Sequence, residues 1–237
     1  MSFTLRTEML LGEDALNRLS RSRVAVFGLG GVGGAALEAL VRMGVGELHL
    51  IDADAFNESN LNRQILSTRE NLGQPKVEVA KNRVLSIDPE AKVFLYPLFY
   101  LPGEDNGIPF DAFDFVVDAI DTVSAKADII RVCHEKGIPM VSCMGCGNRM
   151  DPSSLRLVDL FKTENDPLAK IMRKKCRELG VKALPVVYSI EPSMKPKFQV
   201  DSDSPTRRDV PGSTALVPPV AGYFLAYQAV KMLLEKQ

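Results

Sequence analysis

The sequence predicts a doubly wound α/β fold, in which helices cover both faces of a mostly parallel sheet. Short, almost continuous apolar runs alternate with helical patterns from residue 23 onward, which is typical of buried parallel strands and their crossover helices. A glycine-rich turn separates the first apolar run from the first helical pattern, and the alternation stops after Gly147. We therefore predict a Rossmann-like, doubly wound, mostly parallel sheet with an added C-terminal segment.

A single domain is predicted for residues 1–237, because the 237-residue chain has no internal repeat and no clean linker. Its core covers residues 20–145, and the added segment with a terminal helix covers 146–237. Within the core we predict strands at 23–28, 47–52, 92–98, 113–118 and 139–143, and helices at 31–43, 76–87 and 124–136.

The added segment contains three further predicted elements: a helix at 166–179, a strand at 184–191 and an apolar helix at 215–234. Residues 193–212 are polar and proline-rich, which predicts a loop or crossover. The last helix is long enough to raise the question of a membrane span. Pro218, Pro219 and Lys231 favour a buried terminal helix instead, so we expect no membrane partner.

The composition is that of an ordinary soluble globular protein, with 46% hydrophobic and 25% charged residues. A formal net charge of -1 gives no general attraction for nucleic acid, so any contact with RNA requires a local basic patch. Four cysteines do not suggest a disulfide framework, and the N-terminus has no apolar run typical of a signal peptide. These features predict a cytoplasmic protein.

The glycine-rich turn has the chemistry of a phosphate-binding loop. Residues 24–34 have the sequence VAVFGLGGVGG; glycines let the backbone approach phosphates, and the following helix begins with unpaired N–H groups. Asp52 ends the second predicted strand, where a carboxylate can bind ribose hydroxyls. This set predicts a nucleotide site. The alternative is a tight turn without a ligand, and up to this point NAD and ATP fit equally well.

Positive and polar residues beyond Asp52 favour a triphosphate over a dinucleotide. Asn60, Arg63 and Lys76 follow at the same predicted sheet edge, and negative charge that builds on a departing pyrophosphate requires such cations. Asp118 and Asp121 end the fourth predicted strand. A carboxylate at this edge can hold Mg²⁺, which takes few protein ligands and shares the phosphates.

Five motifs together resemble the family of ubiquitin-activating-like (ThiF/MoeB-type) adenylating enzymes. They are GxGGxG from residue 28, D-x-D from 52, N-x-N-R-Q from 60, G-Q-P-K from 73 and D-A-I-D from 118. This resemblance covers residues 6–122. Four later pieces, which begin at residues 147, 157, 166 and 187, resemble one branch of the family, the tRNA threonylcarbamoyladenosine dehydratases.

The resemblance implies an enzyme that uses ATP and Mg²⁺ to adenylate a carboxylate. In the dehydratase branch this is the carboxylate of N6-threonylcarbamoyladenosine in tRNA, which is cyclised with loss of water. The implied catalytic residues are Arg6, Arg63, Lys76 and Asp121, where Asp121 holds the metal and Arg6 reaches the ATP of a partner subunit in a homodimer. The implied nucleotide-binding residues are Gly28, Gly30, Gly31, Gly33, Asp52, Asp54, Asn60, Arg63, Gln64 and Lys76.

The cysteines bear on a second possibility, an adenylyltransferase for a ubiquitin-like sulfur carrier. Members that load sulfur carriers hold zinc with two CxxC pairs, whereas this chain has one, Cys143 and Cys146. Two thiols are too few for a closed zinc site, so we interpret the pair as buried small side chains. Cys176 lies among cations that would favour a thiolate nucleophile; a solvated helix face explains the same pattern.

The predicted helix at 166–179 carries the densest positive patch of the chain. Its cations are Lys170, Arg173, Lys174, Lys175 and Arg177, and such a cluster can neutralise RNA phosphates. An ordinary solvated face remains an alternative, but the dehydratase resemblance favours tRNA as the partner. An NAD(P)-dependent oxidoreductase and a non-enzymatic nucleotide sensor also remain open. A sulfur-transfer partner cannot be deduced from the residues.

Overall fold

The computed structural model describes residues 2–104, 106–199 and 210–235. Seven strands are found among them: β1 (Arg23–Phe27), β2 (Glu47–Ile51), β3 (Lys92–Tyr96), β4 (Phe115–Asp118), β5 (Met140–Cys143), β6 (Leu155–Asp159) and β7 (Pro185–Ser189). The α-helices of the same residues are α1 (Leu5–Leu11), α2 (Glu13–Arg21), α3 (Gly33–Arg42), α4 (Lys76–Ile87), α5 (Val123–Lys136), α6 (Pro167–Glu178) and α7 (Val217–Glu235).

All seven strands form one sheet in the order β3-β2-β1-β4-β5-β7-β6. Every neighbouring pair is parallel except β6 and β7, which are antiparallel. The predicted mostly parallel α/β fold is therefore confirmed. The strand order reverses between β1 and β4, and an open parallel sheet binds its ligands at the carboxyl ends of the strands beside such a point.

The central strands are apolar because they are buried on both faces. Alternate residues of β1 enter two separate cores: Val24 and Val26 join the one that α3, α4 and α7 cover. Ala25 and Phe27 join the opposite core, to which α5 and α6 contribute. β4 is buried along its whole length. Burial on two faces removes the polar and apolar alternation of a one-sided sheet and leaves the continuous runs seen in the sequence.

The terminal helix α7 is buried, as predicted, and packs mainly against α3. The approach is close because Gly222 lacks a side chain: a Cβ there would lie 2.2 Å from the carbonyl oxygen of Val32. Pro218, at the start of α7, lies beside the glycine turn that precedes α3. In the part of the chain described here, none of the helices has the length and apolarity needed to cross a membrane.

Three elements are present that the sequence does not predict. Helix α1 buries none of its residues, and α2 buries only Leu19. The apolar residues Ala15, Leu16 and Leu19 nevertheless share one face of α2, so its spacing is a usable signal. Strand β6 pairs with β7 at the sheet edge, and only Leu155 of its five residues is buried. An edge strand that is half exposed lacks the apolar run of the central strands. Of the loop predicted at 193–212, residues 200–209 lie outside the described residues.

Candidate active site

A cavity of about 940 Å³ opens at the carboxyl ends of the central strands. Most residues predicted for the site line it. These are Gly28, Gly30, Gly31, Asp52, Asp54, Asn60, Arg63, Gln64, Lys76 and Asp121. Two predicted residues do not. Gly33 lies behind the glycine turn, and Arg6 is exposed on α1, away from the cavity of its own chain.

The glycine turn is built from close backbone contacts. Gly28 leaves β1 with φ +85° and donates its N–H to the carbonyl oxygen of Ile51 at 2.8 Å. A Cβ on Gly33 would lie 1.8 Å from the carbonyl oxygen of Gly28. The absence of a side chain at Gly33 therefore allows α3 to begin in direct contact with the glycine turn. The N–H of Gly34 is bonded to the carbonyl oxygen of Gly30 at 2.9 Å, so an anion at this helix end would be held by the neighbouring N–H groups and the helix dipole.

Asp52 joins the end of β2 to the glycine turn. Its two carboxylate oxygens accept hydrogen bonds from the N–H groups of Leu29 at 2.6 Å and Asp54 at 2.8 Å. Burial raises the pKa of Asp52, and the Lys76 ammonium together with these N–H groups opposes the rise. The carboxylate that was predicted to bind ribose thus also positions the loop that was predicted to bind phosphate.

Lys76 begins α4 and is buried between two carboxylates. Its Nζ donates to Asp54 Oδ2 at 2.8 Å and lies 3.9 Å from Asp52 Oδ1. The sequence predicts that Lys76 and Asp54 lie at one site, but it does not predict that they form an ion pair. The ammonium group is held in place before any phosphate arrives, which limits the conformational entropy lost on binding.

The motif at residues 60–64 lies beside the glycine turn. Asn60 Oδ1 accepts from the N–H of Asn57 at 3.2 Å, and Arg63 Nη1 donates to the carbonyl oxygen of Ser59 at 2.7 Å. Burial lowers the pKa of Arg63. Gln64 is buried, and its Oε1 has no hydrogen-bond partner among the described residues. Such an acceptor is destabilising when left unsatisfied, and a ligand in the cavity can supply its donor.

The two aspartates after β4 have different environments. Asp118 is fully buried and accepts from Lys126 Nζ at 2.7 Å and Ser142 Oγ at 2.6 Å. Asp121 is exposed at the cavity, so of the two it is the carboxylate that a cation can reach. Among residues 2–104, 106–199 and 210–235, no group of three or more His, Cys, Asp or Glu side chains is arranged to hold a metal.

Lys126 is a structural residue that the sequence analysis missed. It is 0% exposed, and besides Asp118 its Nζ donates to the carbonyl oxygen of Cys143 at 2.9 Å. It therefore ties α5 to the ends of β4 and β5. The available signal is its position on the apolar face of the predicted helix, three and four residues before Ile129 and Ile130.

The cysteines are buried and poorly suited to nucleophilic attack. Cys143 and Cys146 line the cavity with their sulfur atoms 3.4 Å apart. The hydrogen bond with Cys146, together with burial, raises the pKa of the Cys143 thiol well above its usual range. Burial, with a smaller contribution from Asp159, raises the pKa of Cys176 to about 11. Of the two interpretations of the Cys176 pattern, the thiolate nucleophile is the less favoured, because burial of the sulfur raises its pKa.

Part of the basic patch on α6 is engaged in local contacts. Arg173 Nη1 donates to the carbonyl oxygen of Thr163 at 2.9 Å and to its hydroxyl group. The Arg177 guanidinium lies 5.6 Å from the ring centre of Phe161, and Lys174 lies 3.9 Å from Glu178. Lys170, Lys174 and Arg177 are nevertheless exposed to solvent, so the helix presents a positive surface.

The family model described as ThiF matches residues 4–237. The chain belongs to the ThiF family. This ThiF-family chain is 37% identical over 238 residues to the tRNA threonylcarbamoyladenosine dehydratase of Bacillus subtilis, with 97% of this chain and 94% of that protein covered.

Two further relatives place the chain within the family. A crystal structure of E. coli tRNA N6-threonylcarbamoyladenosine dehydratase, TcdA, in complex with ATP is 33% identical, with a TM-score of 0.86 and coverage of 98% of this chain and 93% of that chain. The molybdopterin-synthase adenylyltransferase of Haemophilus influenzae is 35% identical over 182 residues, which cover 73% of this chain and 72% of that protein. The dehydratases therefore match over a larger part of this ThiF-family chain than this adenylyltransferase does.

Proposed function

We propose that this ThiF-family protein is an ATP-dependent tRNA threonylcarbamoyladenosine dehydratase. One observation carries the proposal: the glycine turn, Lys76, Arg63 and Asp121 line a single cavity at the carboxyl edge of the sheet. Cations and an anion-binding helix end suit a triphosphate whose pyrophosphate departs. Similarity to named dehydratases over almost the whole chain supplies the substrate class.

The reaction has two steps in this proposal. An oxygen of the threonyl carboxylate attacks the α-phosphorus of ATP, and pyrophosphate leaves. The carbamoyl group of the same modified base then attacks the activated carbonyl carbon, a ring closes and AMP leaves. The second step is intramolecular, so a high effective concentration replaces a protein nucleophile. The buried thiols with raised pKa values are consistent with this route.

We assign the binding roles by position in the cavity. The N–H groups of the glycine turn and the start of α3 hold the phosphates, while Asp52 and Asp54 face the ribose. Arg63 and Lys76 stabilise charge on the leaving pyrophosphate, with Asn60 and Gln64 beside them. The whole chain acts as one adenylating domain in the cytoplasm.

Asp121 is proposed as the protein ligand of Mg²⁺. Asp121 is an exposed carboxylate at the cavity, and one carboxylate is enough for this ion because Mg²⁺ keeps several waters and binds phosphate oxygens as well as one or two carboxylates. When bound, the ion neutralises the phosphate charge. Asp121 orients it, and Asp118 takes no part because its carboxylate is paired with Lys126.

Release of pyrophosphate distinguishes the proposed function from its main alternative. With ATP and Mg²⁺, threonylcarbamoylated tRNA should release one pyrophosphate and one AMP per tRNA, and a ubiquitin-like sulfur carrier should release neither. Release with the carrier alone would instead identify a carrier adenylyltransferase. Binding of NAD in preference to ATP would favour an oxidoreductase.

We also propose a homodimer in which Arg6 acts on the neighbouring subunit. Exposed apolar side chains next to Arg6 support this, since Phe3, Met9 and Leu10 are each more than half exposed, and such patches commonly mark interfaces. Arg6→Ala and Asp121→Ala are each expected to be inactive. Mixed in equal amounts after dissociation, they should recover about a quarter of wild-type activity, because half the dimers are mixed and one site in each is intact. Failure to recover activity would exclude action of Arg6 across the dimer.

The positive surface of α6 is the proposed contact for tRNA phosphates. Reversal of charge at Lys174, Lys175 and Arg177 should weaken tRNA binding and flatten its dependence on salt, because fewer counterions are released. The affinity for ATP should not change. The measurement is tRNA affinity over a salt series, and an unchanged slope would assign α6 to an ordinary solvated surface.

A further inference from the structure

A buried arginine on the β5 side of the cavity has few polar contacts with the residues that the structure describes. Arg149 is 3% exposed and lines the cavity. Within the described residues, its Nε and Nη1 atoms are buried and have no hydrogen-bond partner. A guanidinium group stays charged at neutral pH, and its buried donors are destabilising when no acceptor meets them.

Asp166 lines the same cavity, and one of its two carboxylate oxygens has no donor among the described residues. Its Oδ1 accepts from the N–H of Ala169 at 2.7 Å and caps α6. Its Oδ2 is buried and has no hydrogen-bond partner in the described part of the chain. Arg149 Nη2 lies 3.9 Å from this oxygen, which is too far for a hydrogen bond. Two opposite charges are therefore adjacent in the cavity wall without satisfying each other.

The loop that carries Arg149 is held by its neighbour, Asn148. Asn148 has φ +57° and exchanges hydrogen bonds with Gly212 through its backbone N–H and its side-chain Oδ1, each at 2.7 Å. Its carbonyl oxygen accepts from Met194 at 2.8 Å. Arg149 thus projects from a fixed backbone, which is the condition for a preorganised binding group.

Arg149 and Asp166 lie on the opposite side of the cavity from the ribose-binding edge. Asp52 ends β2, whereas the Arg149 loop follows β5, and β1 and β4 lie between these two strands in the sheet. A nucleotide bound between Asp52 and the glycine turn would leave the β5 side of the cavity open to the carboxylate that attacks it.

We propose that Arg149 and Asp166 form the subsite for the acyl substrate. Arg149 donates from Nε and Nη1 to oxygens of the threonylcarbamoyl group, and Asp166 Oδ2 accepts from an N–H or O–H of that group. This inference rests on the proposed function and adds the residues that recognise the substrate. It explains why two polar side chains are buried next to each other without forming a hydrogen bond.

The test compares binding of two tRNAs, with and without the threonylcarbamoyl group, in the presence of a non-hydrolysable ATP analogue. Wild-type protein should prefer the modified tRNA by about 10-fold or more, as charge-assisted hydrogen bonds allow. Arg149→Met should lower this preference towards one without changing the affinity for unmodified tRNA or ATP. Arg149→Met leaves the buried Asp166 carboxylate without the cation 3.9 Å away, so a thermal melt should show some loss of stability, and the binding comparison is made at a temperature at which the variant is folded. Arg156→Met, which replaces an exposed arginine of the same segment, is the matched control and should keep the preference.

Two results would overturn the subsite. One is a folded Arg149→Met protein that keeps the preference for modified tRNA. The other is a wild-type protein that turns over the modified tRNA yet binds both tRNAs equally. If Arg149→Met does not fold, Asp166→Asn decides the question, because asparagine keeps the cap of α6 and replaces the Oδ2 acceptor; it should lower the same preference. A wild-type protein that forms no AMP with modified tRNA would refute the proposed function itself, which is a separate result.

Discussion

Replacement of Gly33 by alanine is expected to abolish measurable ATP binding. The new Cβ would lie 1.8 Å from the carbonyl oxygen of Gly28, and neither backbone can move without reshaping the turn that faces the cavity. Overpacking against side chains costs about 1–3 kcal/mol, and a backbone contact this close should exceed that range. Calorimetric titration with ATP and a thermal melt measure the two consequences.

Gly34→Ala is the matched control for this prediction. It changes the next residue of the same helix, where a Cβ would meet the Leu66 side chain at 3.3 Å and the carbonyl oxygen of Leu29 at an ordinary contact distance of 3.6 Å. That side chain can shift by a few tenths of an ångström, and alanine gains about 1 kcal/mol over glycine in a helix. We expect near wild-type ATP affinity for Gly34→Ala. Wild-type ATP affinity in Gly33→Ala would show that the close packing of the turn is not required.

Lys126→Met is expected to lower the free energy of unfolding by about 3–5 kcal/mol, the usual effect of breaking a buried ion pair from one side. The substitution keeps an apolar stem of similar length but leaves the buried Asp118 carboxylate without its cation. This is a large share of the roughly 5–15 kcal/mol that stabilises a typical domain. Urea denaturation of the purified protein measures the loss.

Two further variants separate the effect of breaking a buried ion pair from the effect of removing any lysine. Lys136→Met breaks an exposed pair with Asp111 at a similar distance, 2.6 Å, and should cost at most about 1 kcal/mol. The double variant Lys126→Met with Asp118→Asn removes both charges and should recover part of the lost stability, because asparagine still accepts from Ser142. Equal effects of Lys126→Met and Lys136→Met would contradict the importance assigned to burial.

The core and much of the site are predictable from the sequence because both have strong local signals. Continuous apolar runs identify β1, β2 and β4, and the glycine turn marks the start of α3. Polar residues such as Asp52 follow directly on a strand end, and parallel strands bring their carboxyl ends to one edge. The start of α4 is predicted correctly at Lys76 for a similar reason, since Gly73 and Pro75 stop any earlier helix.

The residues that the sequence analysis missed depend on contacts distant in the chain. Arg149 is a single arginine in an irregular loop, and its position depends on hydrogen bonds of the neighbouring backbone with residues 191, 194 and 212. The sequence identifies Asp166 as a helix cap, but it does not show that the second carboxylate oxygen is buried without a donor among the described residues. Helix α1 buries none of its residues, so no apolar core face marks it in the sequence. Tertiary packing, which leaves no local pattern, decides each of these cases.

Mass analysis of the tRNA nucleosides decides whether the protein is a dehydratase. The protein is incubated with ATP, Mg²⁺ and threonylcarbamoylated tRNA, and the tRNA is then digested to nucleosides. We expect threonylcarbamoyladenosine to be replaced by a nucleoside lighter by one water, with one AMP formed per product. Omission of ATP should prevent both changes. A nucleoside of unchanged mass, from a folded protein that binds ATP, would contradict the dehydratase function.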